Sequence, residues 1–281
     1  MNSSSSKCFW DWCDAVWICT TDKNQKKERF KNSYRVLVDE LKIPSDKIFV
    51  NSMIHGSHGS SEDSCTANHL ETWKRIIANG HEKALIVEDD IHIAPLVKVD
   101  KATSLLCETF GNKEKNKNWD IVYLGCFAQN MNQTQDITKR YQIRETICWA
   151  CHAYVVNRNF CEKFSNYTPN AIKKEGSDIM KSHPKLTVGD KIFQNHFNHV
   201  AIDGWLVLLA LTGKIKTYSI YPHILSQSSR NSGLTDSYSI LVEPFVSITG
   251  DVWIGLLMLL FFILFFILLI LSLASVFCVI Q

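Results

Sequence analysis

Lys83-Ala-Leu-Ile-Val-Glu-Asp-Asp90 decides how the rest of the chain is read. Apolar residues run from Ala84 to Val87 and stop at three consecutive carboxylates. A short apolar run bounded by charge and turn signals predicts a buried strand, of the parallel kind covered on both faces. Ligands of α/β sheets sit just beyond the carboxyl ends of such strands, so Glu88, Asp89 and Asp90 are expected at the lip of a site. Residues two apart share a face of an extended chain, which groups Glu88 with Asp90 and turns Asp89 away. Two ionised carboxylates about 5 Å apart repel by roughly 3 kcal/mol at an effective dielectric near 20. That repulsion calls for a counter-ion, and oxygen donors favour a hard cation such as Mg2+ or Mn2+. A solvated strand end or a helix N-terminus also suits these residues, and those readings stay open here.

Working outward, strand-like and helix-like stretches alternate. Ala15–Cys19 and Lys47–Val50 read as strands, separated by a helix through about Leu41 whose stripe is Phe30, Tyr34, Leu37, Val38 and Leu41. A helix beginning near Ser61 carries His69, Leu70, Trp73 and Ile77, and Gly80 stops it before the 83–90 strand. Further strands are expected at 119–125, 146–157 and 214–221, and helices at 99–110, 157–168 and 201–211. Residues 126–146 read as polar and irregular, and 166–195 as a long loop without period. The alternation predicts an α/β fold with a mostly parallel sheet flanked by helices.

Composition narrows the function class. The formal net charge is +2, which gives a nucleic-acid partner no electrostatic support. From Val252 to Ile280 no residue is charged, and the 29 positions exceed the roughly 20 that cross a bilayer as a helix. The expected organisation is a disordered N-terminus (1–14), a catalytic domain (15–240), a juxtamembrane linker (241–251) and a transmembrane helix (252–280). With no signal peptide legible, the topology expected is a single-pass C-terminal anchor with the catalytic domain in the cytosol. The ten cysteines are expected to be reduced and mostly buried. The sequons at Asn2, Asn132 and Asn166 are short enough to arise by chance.

Other motifs are weaker. Cys148-Trp-Ala-Cys-His152 matches a redox or haem pattern, but it lies in a strand, where residues three apart diverge, so structural thiols are expected. His196 and His199 lack the intervening Glu of a zincin. Asp203 opens the apolar stretch Trp205–Leu211, either as a helix cap or as an active-site base.

Taken in order, these pieces resemble glycosyltransferase family 25, the lipooligosaccharide and procollagen galactosyltransferase-like group. The resemblance rests on the Ala15–Thr20 strand with Arg29 after it, and on Cys65-Thr-Ala-Asn-His-Leu-Glu-Thr-Trp73. It continues through the acidic strand end, Trp119–Gly125, His152–Val156, Asp203-Gly-Trp205 and Tyr221–Gln227, with Asn68 standing where the family has Ser. It implies a GT-A fold that binds a UDP-sugar with Mn2+ or Mg2+ and transfers a hexose, galactose or glucose, to a glycan, protein or lipid acceptor. Mapped onto this sequence, it implies Glu88, Asp90 and His223 as metal ligands. Arg29, His69, Glu88 and Asp89 become nucleotide or phosphate contacts, and Asp203 the catalytic base. A catalytically inactive, membrane-anchored binding or scaffold protein is the alternative.

Overall fold

The computed structural model describes residues 12–54, 57–94, 97–111, 118–128, 141–183, 201–227, 260 and 262–264. Its strands are β1 (Ala15–Thr21), β2 (Ile48–Met53), β3 (Lys83–Glu88), β4 (Ile91–Ile93), β5 (Ile121–Ala128), β6 (Gln142–Glu145), β7 (Cys148–Asn157), β8 (Thr217–Tyr221) and β9 (Leu225–Gln227). Its α-helices are α1 (Asp22–Gln25), α2 (Glu28–Arg35), α3 (Ser61–Ala78), α4 (Val99–Phe110), α5 (Arg158–Phe164), α6 (Pro169–Ser182) and α7 (Ile202–Leu211).

Seven strands form one sheet in the order β2-β1-β3-β7-β5-β8-β6. β1 pairs in parallel with β2 and β3, and β5 with β8. β7 runs antiparallel between β3 and β5, and β6 is antiparallel at the far edge. This is the mostly parallel α/β sheet expected, with helices on both faces, except that β7 and β6 run against the other strands and make it mixed. β3 lies centrally, and Ala84, Leu85, Ile86 and Val87 are all fully buried. Burying Leu85, Ile86 and Val87 contributes about 1.5–3 kcal/mol each.

The period of two along β3 distributes its side chains between two cores. Ala84 and Ile86 join Trp17, Leu70, Trp73, Tyr154 and Trp205 on one face. Leu85 and Val87 join Val16, Leu37, Leu106, Phe110 and Val155 on the other. The first face is covered by α3 and α5–α7, the second by α2 with its π-helical continuation Val36–Glu40 and by α4.

α3 is well delimited. The Ser60 hydroxyl accepts the Asp63 amide as N-cap, and Glu62 and Asp63 place negative charge against the first turn. Gly80, at φ +72°, lets the chain turn straight into β3.

Several expectations need correction. The stretch 166–195, expected as a loop, begins with the helix α6. Its buried side is only Ile172, Gly176 and Ile179, too sparse to register as a hydrophobic period. Its start was marked all the same, since Thr168 caps it and Pro169 takes the first turn, where a missing N–H costs nothing. The irregular stretch 126–146 holds the end of β5 and, at Gln142–Glu145, an edge strand. After the acids, residues 91–93 leave the sheet and form a separate ribbon in which β4 pairs antiparallel with β9. The thiols are not all reduced, because Cys126 and Cys148 on neighbouring strands are joined in a disulfide; Cys151 remains free.

The span expected at 252–280 lies almost wholly outside the described residues. Residues 260 and 262–264 are helical and exposed, and no helix among the described residues is long and apolar enough to cross a membrane. The N-terminus to residue 11, the His196–His199 pair, and the sequons at Asn2 and Asn132 also lie outside them.

Candidate active site

The three acids at the end of β3 fall into two settings, as the alternation of the strand dictates, with Glu88 and Asp90 sharing one and Asp89 the other. Glu88 continues the Ala84–Ile86 face and turns toward α3. Asp89 continues the Leu85–Val87 face and turns toward α2. Asp90 follows in the turn before β4.

Asp89 is fully engaged. It is 2% exposed, accepts from Arg29 Nε at 2.8 Å and from a second Arg29 nitrogen, and accepts from the Thr20 hydroxyl. A guanidinium fork against a carboxylate is a strong paired geometry, and here it clamps α2 to the ends of β1 and β3. Arg29 also stands 3.6 Å from Asp90 Oδ2.

Glu88 and Asp90 are held around one amide. Gln227 Nε2 donates to Glu88 Oε2 at 3.1 Å and to Asp90 Oδ2 at 3.2 Å. The Ile91↔Gln227 register of the β4–β9 ribbon brings that side chain in. The ribbon is anchored by Ile224, whose amide donates to Leu124 O at 2.8 Å and whose carbonyl accepts from Ala94 at 2.9 Å. Gly125 makes the crossing possible, since a Cβ there would collide with the Leu225 carbonyl and His152 Nε2.

Asp90 is 2% exposed and its Oδ1 is buried with no hydrogen-bond partner. Burial raises its carboxyl to about 8, and the Glu88 charge adds to the rise while Arg29 and Gln227 oppose it. Burial alone would raise Glu88 too, but the His69 imidazole outweighs it, helped by His152 and Arg29, and holds that carboxyl below the usual range. One orphaned buried oxygen and a second carboxylate, both around a single donor, fit a hard divalent cation.

α3 supplies the other wall. His69 is fully buried, its Nδ1 lies 2.8 Å from the Tyr154 hydroxyl, and its Nε2 lies 3.7 Å from Glu88 Oε1. Trp73 Nε1 donates to the same hydroxyl at 3.3 Å. Asn68 ties the helix to the site, donating to Thr20 O at 2.8 Å and accepting from Asn51 Nδ2 at 2.7 Å. An Asn rather than a Ser reaches both strands.

Asp203 sits in the first turn of α7, where it accepts the Gly204 amide at 2.8 Å. Burial raises its carboxyl, the Glu88 charge adds to this, and the Gly204 amide and His69 work against it. His223 does not face the carboxylates. Its Nε2 lies 3.6 Å from Cys126 Sγ, and burial drives it down to about 3, which leaves it neutral. The structure thus brings Arg29, His69, Glu88, Asp89 and Asp90 together, sets Asp203 within reach of their charge, and turns His223 to the disulfide. Gln227 holds the position between the acids. A cleft of about 430 Å3 lined by Lys83, Trp119 and Arg158 opens at the opposite end of the strands, away from this chemistry.

A family model described as glycosyltransferase family 25 (LPS biosynthesis protein) matches residues 20–180, more than half of the chain. The chain belongs to glycosyltransferase family 25. Family membership implies glycosyl transfer, with a sugar donor and a glycan acceptor. The matched segment of this family 25 chain contains Arg29, His69 and the three acids, while Asp203, His223 and Gln227 lie beyond it. No curated protein matches the chain. Among solved structures, the crystal structure of A197 from STIV is similar with a TM-score of 0.37 and 10% identity, over 73% of this chain and 81% of that one.

Proposed function

We propose that this chain is a metal-dependent hexosyltransferase of GT-A type that moves galactose or glucose from a UDP-sugar to a hydroxyl on a glycan, protein or lipid. The observation that carries the reading is the Glu88–Gln227–Asp90 cluster at the end of a central strand, with one buried carboxylate oxygen unpartnered. Asp90 and Glu88 are the residues that would hold Mn2+ or Mg2+, which when bound neutralises charge on a departing diphosphate. Arg29 keeps Asp89 out of that role by pairing with it, and so fixes the direction in which Asp90 leaves the strand. Asp203 takes the proton from the acceptor hydroxyl, and its raised affinity for a proton makes it a better base than an ordinary carboxylate. The apolar stretch 252–280 holds the enzyme to a membrane, with the catalytic domain on the cytosolic side.

The test is UDP-sugar turnover with added Mn2+, comparing wild type with Asp90→Ala. Turnover that survives the substitution refutes the metal assignment. No turnover and no nucleotide-dependent thermal shift in the wild type would leave the scaffold reading.

A further inference from the structure

Glu88 has two oxygens with different neighbours. Oε2 takes the Gln227 amide, whereas Oε1 faces α3, where a second set of donors converges. Cys65 and His69 are four residues apart on α3 and therefore neighbours on one helix face. The Cys65 thiol, a ring nitrogen of His69 and a carboxylate oxygen of Glu88 all lie within 4.8 Å of one another. Cys65 is a free, partly exposed thiol.

The second observation is the state of His69. Its Nε2 is buried and has no hydrogen-bond partner, although it points at Glu88 Oε1 from 3.7 Å. Tyr154 accepts from Trp73, and its hydroxyl oxygen is also within 2.8 Å of His69 Nδ1. When Nδ1–H donates to that oxygen, the Nε2 lone pair is free for a cation lying between it and Glu88 Oε1; without a cation, a proton on Nε2 faces the carboxylate and helps hold it ionised. A ring whose other nitrogen is fixed by a hydrogen bond is the usual arrangement of a metal-ligating His.

We propose that Cys65, His69 and Glu88 form a three-ligand site for a borderline-soft cation of the Zn2+ class, with a fourth position open to water. Thiolate, imidazole and carboxylate together select such an ion over Mg2+ or Mn2+. Bonds of about 2.0–2.3 Å in tetrahedral array put donor atoms roughly 3.3–3.6 Å apart. The His69–Glu88 edge is near that already at 3.7 Å, and the Cys65 thiol, within 4.8 Å of both, closes the remainder on binding. Binding displaces the thiol proton, so affinity rises steeply with pH. The site does not depend on the transferase reading. Only one consequence does: an ion held here competes for Glu88 with the Asp90–Gln227 side, so Zn2+ inhibits Mn2+-supported turnover.

The test is Co2+ titration of the metal-free full chain in detergent, without thiol reductant. The wild type is expected to show a thiolate-to-cobalt charge-transfer band and tetrahedral visible bands at one equivalent. Both are lost in Cys65→Ser, weakened at least tenfold in affinity in His69→Gln, and retained in Asp90→Ala. No thiolate band in the wild type, or the same band in folded Cys65→Ser, overturns the site. Should Cys65→Ser fail to fold, alkylation of the wild type decides: Zn2+ must protect Cys65 from iodoacetamide, and an unprotected Cys65 overturns the site. Loss of Mn2+ turnover alone bears on the transferase reading, because the cobalt spectrum does not require catalysis.

Discussion

Replacing Asp90 by Asn should give a protein that is both more stable and inactive. The Asp90 carboxyl titrates at about 8 in the fold against an ordinary value of 3.8. A group whose folded value is raised stabilises the fold when neutral, so that stability is full below about pH 4 and is lost as pH rises toward 8. At pH 7.5 the unfolded chain gains about 3.7 units' worth of ionisation free energy, on the order of 5 kcal/mol. Relaxation around the buried group and its coupling to Glu88 reduce the realised figure to roughly 2–3 kcal/mol. Asn keeps the size and still accepts from Gln227, but carries no charge. In chelator at pH 7.5, Asp90→Asn should melt about 5–10 °C above wild type, at about 2–4 °C per kcal/mol for a domain of this size. Near pH 4 the gain should vanish, because the wild-type carboxyl is then neutral. The buried imidazoles His152 and His223 pull stability the other way below pH 6.5. The difference between the two proteins cancels that effect, which is why the comparison, not the wild-type curve, is the assay. Mn2+-supported turnover should fall at least a hundredfold in the same variant, about 2.7 kcal/mol of transition-state stabilisation. A variant that melts no higher than wild type at pH 7.5, or that keeps Mn2+-dependent turnover, would refute the reasoning.

Arg29→Ala leaves the 2%-exposed Asp89 without its charge partner and should cost about 3–5 kcal/mol in urea unfolding; Asp89→Asn added to it should recover part of the loss. Gln227→Ala should raise the Mn2+ concentration for half-maximal turnover severalfold while the melting temperature changes by less than about 3 °C. Gly125→Ala forces the Leu225 carbonyl away from β5 and should lower turnover more than Gln227→Ala does, since it displaces the whole ribbon; equal activity to wild type would contradict this. His152 and His223, held down by burial to about 4 and about 3, contribute stability that is present above pH 6.5 and lost as pH falls through those values. His223→Gln should therefore move the midpoint of acid unfolding, followed by circular dichroism, down by about half a pH unit.

How far the sequence could be read followed from what each signal depends on. β3 was legible because a fully buried strand must be apolar at every position, and its end was legible because three carboxylates cannot continue into a core. The separation of Asp89 from its neighbours followed from strand period alone, a purely local property. α6 escaped because a helix that buries one Gly and two Ile leaves no stripe, although Thr168-Pro169 announced its start. The edge strand β6 escaped because its residues are only half-buried, so polar ones suffice. Gln227 was visible as part of a motif, but its place between two acids depends on a pairing across 136 residues that no local pattern encodes. His223 looked equally suited as a ligand from sequence. Three residues of intervening chain decide that it points at Cys126 and Gln227 at the acids.

The β4–β9 ribbon has a consequence for the order in which the protein is made. β4 is synthesised long before β9, and closing a loop of that length costs little more than closing one half as long, about 0.6 kcal/mol for each doubling. Thermodynamics therefore tolerates the separation, but chain growth does not shorten it. A nascent chain that has passed residue 93 already holds all three acids, yet lacks the amide that bridges two of them until residue 227 emerges. Throughout that interval the acids stand next to one another with Arg29 and His69, but not the Gln227 amide, to offset them. The cluster cannot acquire its final arrangement before residue 227 is made, so a chain cut short before β9 keeps β3 and its acids but carries an unfinished site.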